Sequence, residues 1–158
     1  MKNLLRFATM ICAIITLSAL MAHVLELPKK MSLSKENYLT VQSIYSGWAW
    51  LGIAEIGALI LSILWLISIR SKKKLFNILL VACIYFLLSL VIFFVYTYPA
   101  NIQTHNWTQL PANWEQLREQ WEYSHAVHTA LNFIGVCLLI IVLLKERIAL
   151  PYNSSKNG

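Results

Sequence analysis

Charge is the scarcest commodity in this sequence. Only 13% of its 158 residues are charged and 58% are hydrophobic, against about 25% and roughly 45–50% in an ordinary soluble domain. That balance excludes a soluble globular enzyme. Cysteine is nearly as sparse: Cys12, Cys83 and Cys137 lie in different apolar stretches with no Cys-x-x-Cys pair, which excludes a dithiol reductase of the vitamin K epoxide reductase type and leaves small core hydrophobes. There is no glycine-rich phosphate loop and no nucleophile motif joining Ser, His and an acid, so nucleotide chemistry and triad hydrolysis have no basis here. No internal repeat is present, which counts against a small alternating-access transporter or proton-coupled carrier.

What is there is apolar sequence in long runs. A membrane-spanning helix needs about 20 mostly apolar residues to cross a hydrocarbon core of roughly 30 Å, and four stretches qualify: approximately residues 4–27, 48–69, 75–96 and 122–144. The expected fold is all-α, an integral membrane four-helix up-and-down bundle forming one domain over residues 1–150. Partly helical outer connections are expected at 28–47 and 97–121, and a disordered cytoplasmic tail at 151–158. Lys2 and Arg6 ahead of an apolar run also fit a signal peptide, but the run is longer than a signal core and the small residues near Ala19 and Ala22 lack cleavage-site spacing, so it is read as a span.

The formal charge of +6 would suggest nucleic acid in a soluble protein. Its placement points instead to a lipid bilayer. Lys2, Arg6, Arg70, Lys72, Lys73, Lys74, Lys145, Arg147 and Lys156 fall on one side of the spans, and Lys29, Lys30, Lys35 and Arg118 on the other. The positive-inside rule then places both termini in the cytoplasm, and a bacterial inner membrane is the expected location.

Boundaries follow from local signals. Pro28 should stop the first helix, Ser34 is placed to cap a second that begins outside the membrane, and Tyr96, Tyr98 and Pro99 should mark the outer end of the third span. Pro111 suits a first helical turn, and Trp114, Leu117 and Trp121 then repeat at helical spacing into the fourth span without a break. The aromatics Tyr45, Trp48, Trp50, Trp107, Trp114 and Trp121, with Tyr96 and Tyr98, read most simply as an interfacial belt.

Ionisable groups inside spans cost about 2.5–3.5 kcal/mol on insertion scales, so each asks for a reason. His23 and Glu26 sit three apart near the end of the first helix. Glu55 lies seven residues, about 10 Å, inward of Trp48, among Gly52, Ala54, Gly57 and Ala58, whose small side chains admit a neighbouring helix. His125 and His128 lie four and seven residues after Trp121. All five fall at similar depth in the outer half, so three helices can converge on one polar cluster. Two i, i+3 pairs plus a facing carboxylate is the residue set of a metal site in a helical bundle, for Fe, Cu or Zn, with haem ligation by His as a further option. In this reading Glu55, His125 and His128 are catalytic, His23, Glu26, Glu55, His125 and His128 are metal ligands, and Trp48, Trp121, Tyr96, Asn101 and Asn132 hold substrate, Asn132 also orienting a histidine. The plainer alternatives are hydrated headgroup-level residues for His23 and Glu26, and interhelical hydrogen bonds for Glu55, His125 and His128.

The segments His-Val-Leu-Glu-Leu-Pro-Lys-Lys (His23 to Lys30) and Trp-Glu-Gln-Leu-Arg-Glu-Gln-Trp-Glu-Tyr-Ser-His (Trp114 to His125) resemble those of the anthrone-oxygenase-like family of small four-span membrane proteins. In that family a Trp-rich segment leads to a His on the last helix, matched by Trp121 and His125, and an outer-loop Asn is matched by Asn101. Members often carry an Arg one turn after that His, where this chain has His128. The resemblance implies a scaffold and, from its oxygenases, polycyclic phenolic substrates. The functional expectation is an oxidoreductase or oxygenase-like membrane protein acting on a lipophilic aromatic or quinone-like molecule, the alternative being a non-catalytic protein that binds a lipophilic ligand or supports a membrane complex.

Overall fold

A computed structural model describes residues 2–148; the expected tail at 151–158 lies outside the described residues. The described residues are mostly helical, with no strand among them: α1 (Lys2–Lys30), α2 (Lys35–Gln42), α3 (Gly52–Ser68), α4 (Lys73–Ile92), α5 (Tyr98–Gln103) and α6 (Trp114–Ile148). Short 3-10 turns at Ser43–Tyr45 and Trp48–Leu51 join α2 to α3, and a π-helical turn, Phe93–Thr97, joins α4 to α5. Four helical stretches, Lys2–Lys30, Trp48–Ser68, Lys73–Gln103 and Trp114–Glu146, are long and apolar enough to cross a membrane by length and composition. They pack as a ring in which α1 touches α3 and α6, and α4 touches α3 and α6.

Several boundaries differ from expectation, each for a local reason. Pro28 does not end α1, which runs on to Lys30. A proline two residues from a helix end removes only one rung of the ladder, and the Met31 N–H still reaches the Leu27 carbonyl at 3.0 Å. The third long helix likewise continues past Pro99 to Gln103. The widened turn ahead of it, in which the Tyr98 N–H bonds to the Phe93 carbonyl five residues back, carries the chain into a new helical register with proline in its first turn. Pro111 lies in a turn before α6 rather than within it, its carbonyl accepting from the Trp114 N–H. Ser34 does cap α2, its side chain accepting from the Asn37 N–H, and α6 runs unbroken from Trp114 as expected.

Two apolar clusters order the interior. The larger, around Ala13, Ala58, Trp65, Leu79, Phe86, Val136, Leu139 and Val142, fills the half nearer the termini. The smaller, Tyr38, Ala100, Trp107, Leu117 and Trp121, packs the outer connections against the start of α6. Trp107 and Trp121 are therefore buried, at 6% and 4% exposure, whereas Trp50, Tyr96 and Tyr98 remain at the surface, so the aromatics expected to form one belt divide into a buried and an exposed set. At the opposite end Glu146 ties the ring together: Arg6 and Lys72 pair with its carboxylate at 2.9 and 3.0 Å, and the Trp65 indole donates to it at 3.0 Å.

Candidate functional site

Between the two apolar clusters, α1, α3 and α6 bring their polar side chains together. On α6 the spacing of Trp121, His125, His128 and Asn132 is four, three, four, which lays all of them along one stripe. His125 lies against His23 of α1, ring centroids 4.3 Å apart, and against Trp121 at 4.0 Å. One turn deeper, His128 Nε2 stands 2.6 Å from Glu55 Oε1 on α3. The convergence of His23, Glu55, His125 and His128 is thus present in the structure.

Hydrogen-bond bookkeeping assigns roles within the cluster. His125 Nδ1 lies 2.9 Å from the Trp121 carbonyl oxygen, and since a carbonyl only accepts, Nδ1 carries the hydrogen and the neutral ring presents its lone pair at Nε2. Glu55 Oε1 accepts from the Ser89 hydroxyl at 2.8 Å as well as meeting His128, and Ser89 in turn accepts from the Asn132 amide. Asn132 therefore does not hydrogen-bond a histidine as expected; it orients Glu55 through Ser89. The second nitrogen of His128, Nδ1, is buried without a protein partner, as is Nδ1 of His23.

These groups line a cavity of about 800 Å³, within the usual range for a small-molecule site. Tyr45, Trp48, Trp121 and Phe93 give it aromatic walls, with His23, Glu55, His125 and His128 on the inner side. Asn101 also lines it and fixes two of the indoles, its Oδ1 accepting from Trp121 Nε1 at 2.8 Å and Trp107 Nε1 at 3.1 Å. The loop that delivers Trp107 holds His105, Asn106 and Trp107 all at positive φ, a backbone state that costs a non-glycine residue roughly 1–2 kcal/mol. Thr104 secures it, its hydroxyl oxygen accepting from the Trp107 N–H, while the Asn106 N–H reaches the Asn101 carbonyl at 2.7 Å.

Compared with protein-family models, curated proteins and solved structures, the chain finds no match. The site is therefore read from its own residues.

Three expected members lie elsewhere. Asn132, expected to hold substrate, sits behind Ser89 and does not line the cavity. Tyr96 is half exposed and does not reach the cavity; the π turn puts Phe93 and Phe94 there, while Tyr96 borders a separate surface groove with Gln120 and Tyr123. Glu26 is drawn away from His23 by Lys30, 3.9 Å off, and by the Tyr45 hydroxyl, which donates to it. The metal expectation fares no better as geometry: among the described residues no group of three His, Cys, Asp or Glu side chains is placed to hold an ion. Glu26 is outside the cluster, Glu55 is engaged by Ser89 and His128, and the touching His23 and His125 rings leave no room for a haem between them. Among the described residues the expected five-residue metal site is therefore not assembled.

Sequence reasoning missed a buried ionic group beside the cavity. Lys30 and Arg118, taken as outer anchors, are 2% and 9% exposed. Lys30 Nζ pairs with the fully buried Glu122 at 2.8 Å, donates to the Tyr45 hydroxyl at 3.1 Å and stands over the Tyr45 and Trp121 rings at 4.6 and 4.7 Å. The Tyr38 hydroxyl donates to Glu122 at 2.9 Å, and Arg118 donates to the Leu33 carbonyl at 3.1 Å, so the outer connection is fastened down over the cavity. Burial, with Glu122 alongside, raises the Tyr38 phenol above its ordinary range, and burial with Glu26 does the same for Tyr45; both act as hydrogen donors rather than bases. The signal was in the sequence, since Arg118, Glu122, His125, Thr129 and Asn132 form an unbroken polar stripe at spacings of four and three.

Proposed function

We propose that the chain is an integral membrane protein, with both termini on the cytoplasmic side, that binds a flat lipophilic molecule bearing a hydroxyl group in its outer-half cavity and exchanges a proton with it. The observation that carries this reading is the pair of histidines on one cavity wall: His125 offers an Nε2 acceptor, and His128 shares a proton with a carboxylate held in place by Ser89 and Asn132. A histidine with one nitrogen fixed by a hydrogen bond, as His125 Nδ1 is by the Trp121 carbonyl, and the other free at a pocket is suited to general acid–base work. Membrane integration is supported by the four long apolar helices and by their outward faces, where Leu25, Ile53, Ile60, Leu87, Phe94 and Leu144 are all more than half exposed; water would not tolerate so continuous an apolar surface.

In this reading the aromatic walls hold the ring, His125 Nε2 accepts the hydroxyl proton, and the Glu55–His128 pair compensates the charge that appears. Deprotonation makes a phenolic ring electron-rich, the step that prepares it for oxidation by an external oxidant, as in the oxygenases the sequence resembles. The chain's own residues supply binding, orientation and proton transfer.

The test is a matched pair of probes, 2-naphthol and 2-methoxynaphthalene, with binding followed by quenching of tryptophan fluorescence in nanodiscs. Loss of one hydrogen bond of about 1.4 kcal/mol corresponds to about tenfold in affinity, so the naphthol should bind about tenfold more tightly, and a His125→Ala, His128→Ala variant should erase the difference. Equal binding of both probes to the wild-type protein would favour a non-catalytic carrier of lipophilic ligands.

A further inference from the structure

The cavity's lining has two exposed stretches of opposite character. On the outer side Ser46, Asn106 and Thr108 line it and are exposed. Toward the bundle's flank it is lined by Ile56 of α3, by Leu90 of α4 and by Phe94 of the π turn, with Ile56 and Phe94 at 48% and 57% exposure. α3 and α4 are joined by a short turn and packed together at their other end, where Leu66, Ile69, Leu75 and Leu79 are buried. Near the cavity the link between them is polar, Ser89 to Glu55, and the apolar side chains outside that link face outward rather than each other. Adjacent to the mouth the surface continues as Ile53 and Ile60, both more than half exposed.

From this arrangement we infer that the ligand is a tailed amphiphile: its hydroxyl-bearing ring lies against His125 and His128, and an alkyl or isoprenoid chain leaves between Ile56 and Phe94 into the bilayer. This rests on the membrane and histidine reading above. The edge formed by Ile56, Leu90 and Phe94 carries no polar side chain and the other exposed edge does, so the apolar end of a molecule whose hydroxyl lies against the histidines is accommodated between Ile56 and Phe94. A chain there keeps the mouth filled with hydrocarbon continuous with the lipid. A polar substituent in the same place would lose its hydration without gaining a partner. The exposed Ser46, Asn106 and Thr108 edge is left for water and protons.

The experiment compares 4-ethylphenol with 4-nonylphenol, which share a head and differ in the tail, in nanodiscs, with affinity expressed per mole fraction in the membrane. The tail should carry no penalty in the wild-type protein, because the portal and the bilayer are equivalent surroundings for it. Ile56→Trp, which fills the mouth, should weaken 4-nonylphenol about tenfold and leave 4-ethylphenol unchanged, and Thr108→Trp should affect neither. The inference is overturned if 4-nonylphenol is excluded from the wild-type cavity, if Ile56→Trp weakens both probes alike, or if Thr108→Trp alone blocks binding. Should neither phenol bind, the hydroxyl-ligand reading falls, and the portal is judged without it in vesicles of phosphatidylcholine brominated along its acyl chain. A component of the quenching that disappears in Trp121→Phe and is reduced by Ile56→Phe would support an opening to lipid chains; quenching indifferent to both would overturn it.

Discussion

The Lys30–Glu122 pair offers the sharpest test of how the cavity roof is held. Lys30 and Glu122 side chains are 3% and 0% exposed and stand 2.8 Å apart, where Coulomb's law gives an attraction of about 6 kcal/mol at an effective dielectric of about 20. Most of that offsets desolvation, so the pair itself contributes little net stability. Removing one partner strands the other charge, at a cost of about 3–5 kcal/mol. The two single variants should not be equal. After Glu122→Leu, Lys30 keeps the Tyr45 hydroxyl and Glu26 at 3.9 Å, whereas after Lys30→Met the Glu122 carboxylate keeps only the Tyr38 hydroxyl. Lys30→Met should therefore be the worse of the two. For a chain of this size about 1 kcal/mol moves Tm by roughly 2–4 °C, so thermal unfolding in detergent, followed by near-ultraviolet circular dichroism, should show a fall of roughly 6–20 °C for Lys30→Met and less for Glu122→Leu. The double variant should recover much of the loss, giving a coupling energy of about 2 kcal/mol or more. A Lys30→Met protein that melts with the wild type, or a double variant whose loss equals the sum of the singles, would refute the argument that a buried, mutually compensating pair fastens this roof.

Two further predictions concern packing and positioning. A Cβ at Gly135 would meet the Phe86 ring at 2.8 Å, whereas one at Gly57 has only the Cys12 sulfur at 3.4 Å; Gly135→Ala should cost about 1–3 kcal/mol by overpacking, and Gly57→Ala should be neutral or stabilising by up to about 1 kcal/mol, both read from Tm. Asn101→Leu should leave the Trp107 and Trp121 indole N–H groups without an acceptor and destabilise by about 2–5 kcal/mol, while Asn101→Asp, which keeps the acceptor oxygen, should retain the wild-type tryptophan emission maximum.

The histidine cluster and the ionic cluster were unequally legible in the sequence. His23, Glu55, His125 and His128 could be brought to one depth from helix rise alone, because each sits a countable number of residues from the outer end of its own apolar run. Glu26 passed the same depth argument and yet lies outside the cluster, since depth says nothing of the direction in which a side chain leaves its helix. Tyr96 failed for a related reason: the widened turn at Phe93–Thr97 changes the helical register, and no residue in that turn announces it. Lys30 and Arg118 looked like surface charges because their partners, Glu122 and the Leu33 carbonyl, come from segments 85 or more positions away in the chain or across the bundle.

By itself, then, the sequence determined the four long apolar helices, the bias of basic residues to one side and the polar stripe along α6, all of which follow from hydropathy and helical period within a single segment. Only the tertiary structure decided that Trp121 and Trp107 are buried walls, that Asn132 acts on Glu55 through Ser89, and that a cavity lined by α1, α3, α4 and α6 has both exposed polar and exposed apolar residues on its rim. Those features depend on how each helix is rotated about its axis and on which distant side chain compensates each buried charge, and helix rotation is set by packing among all four helices at once.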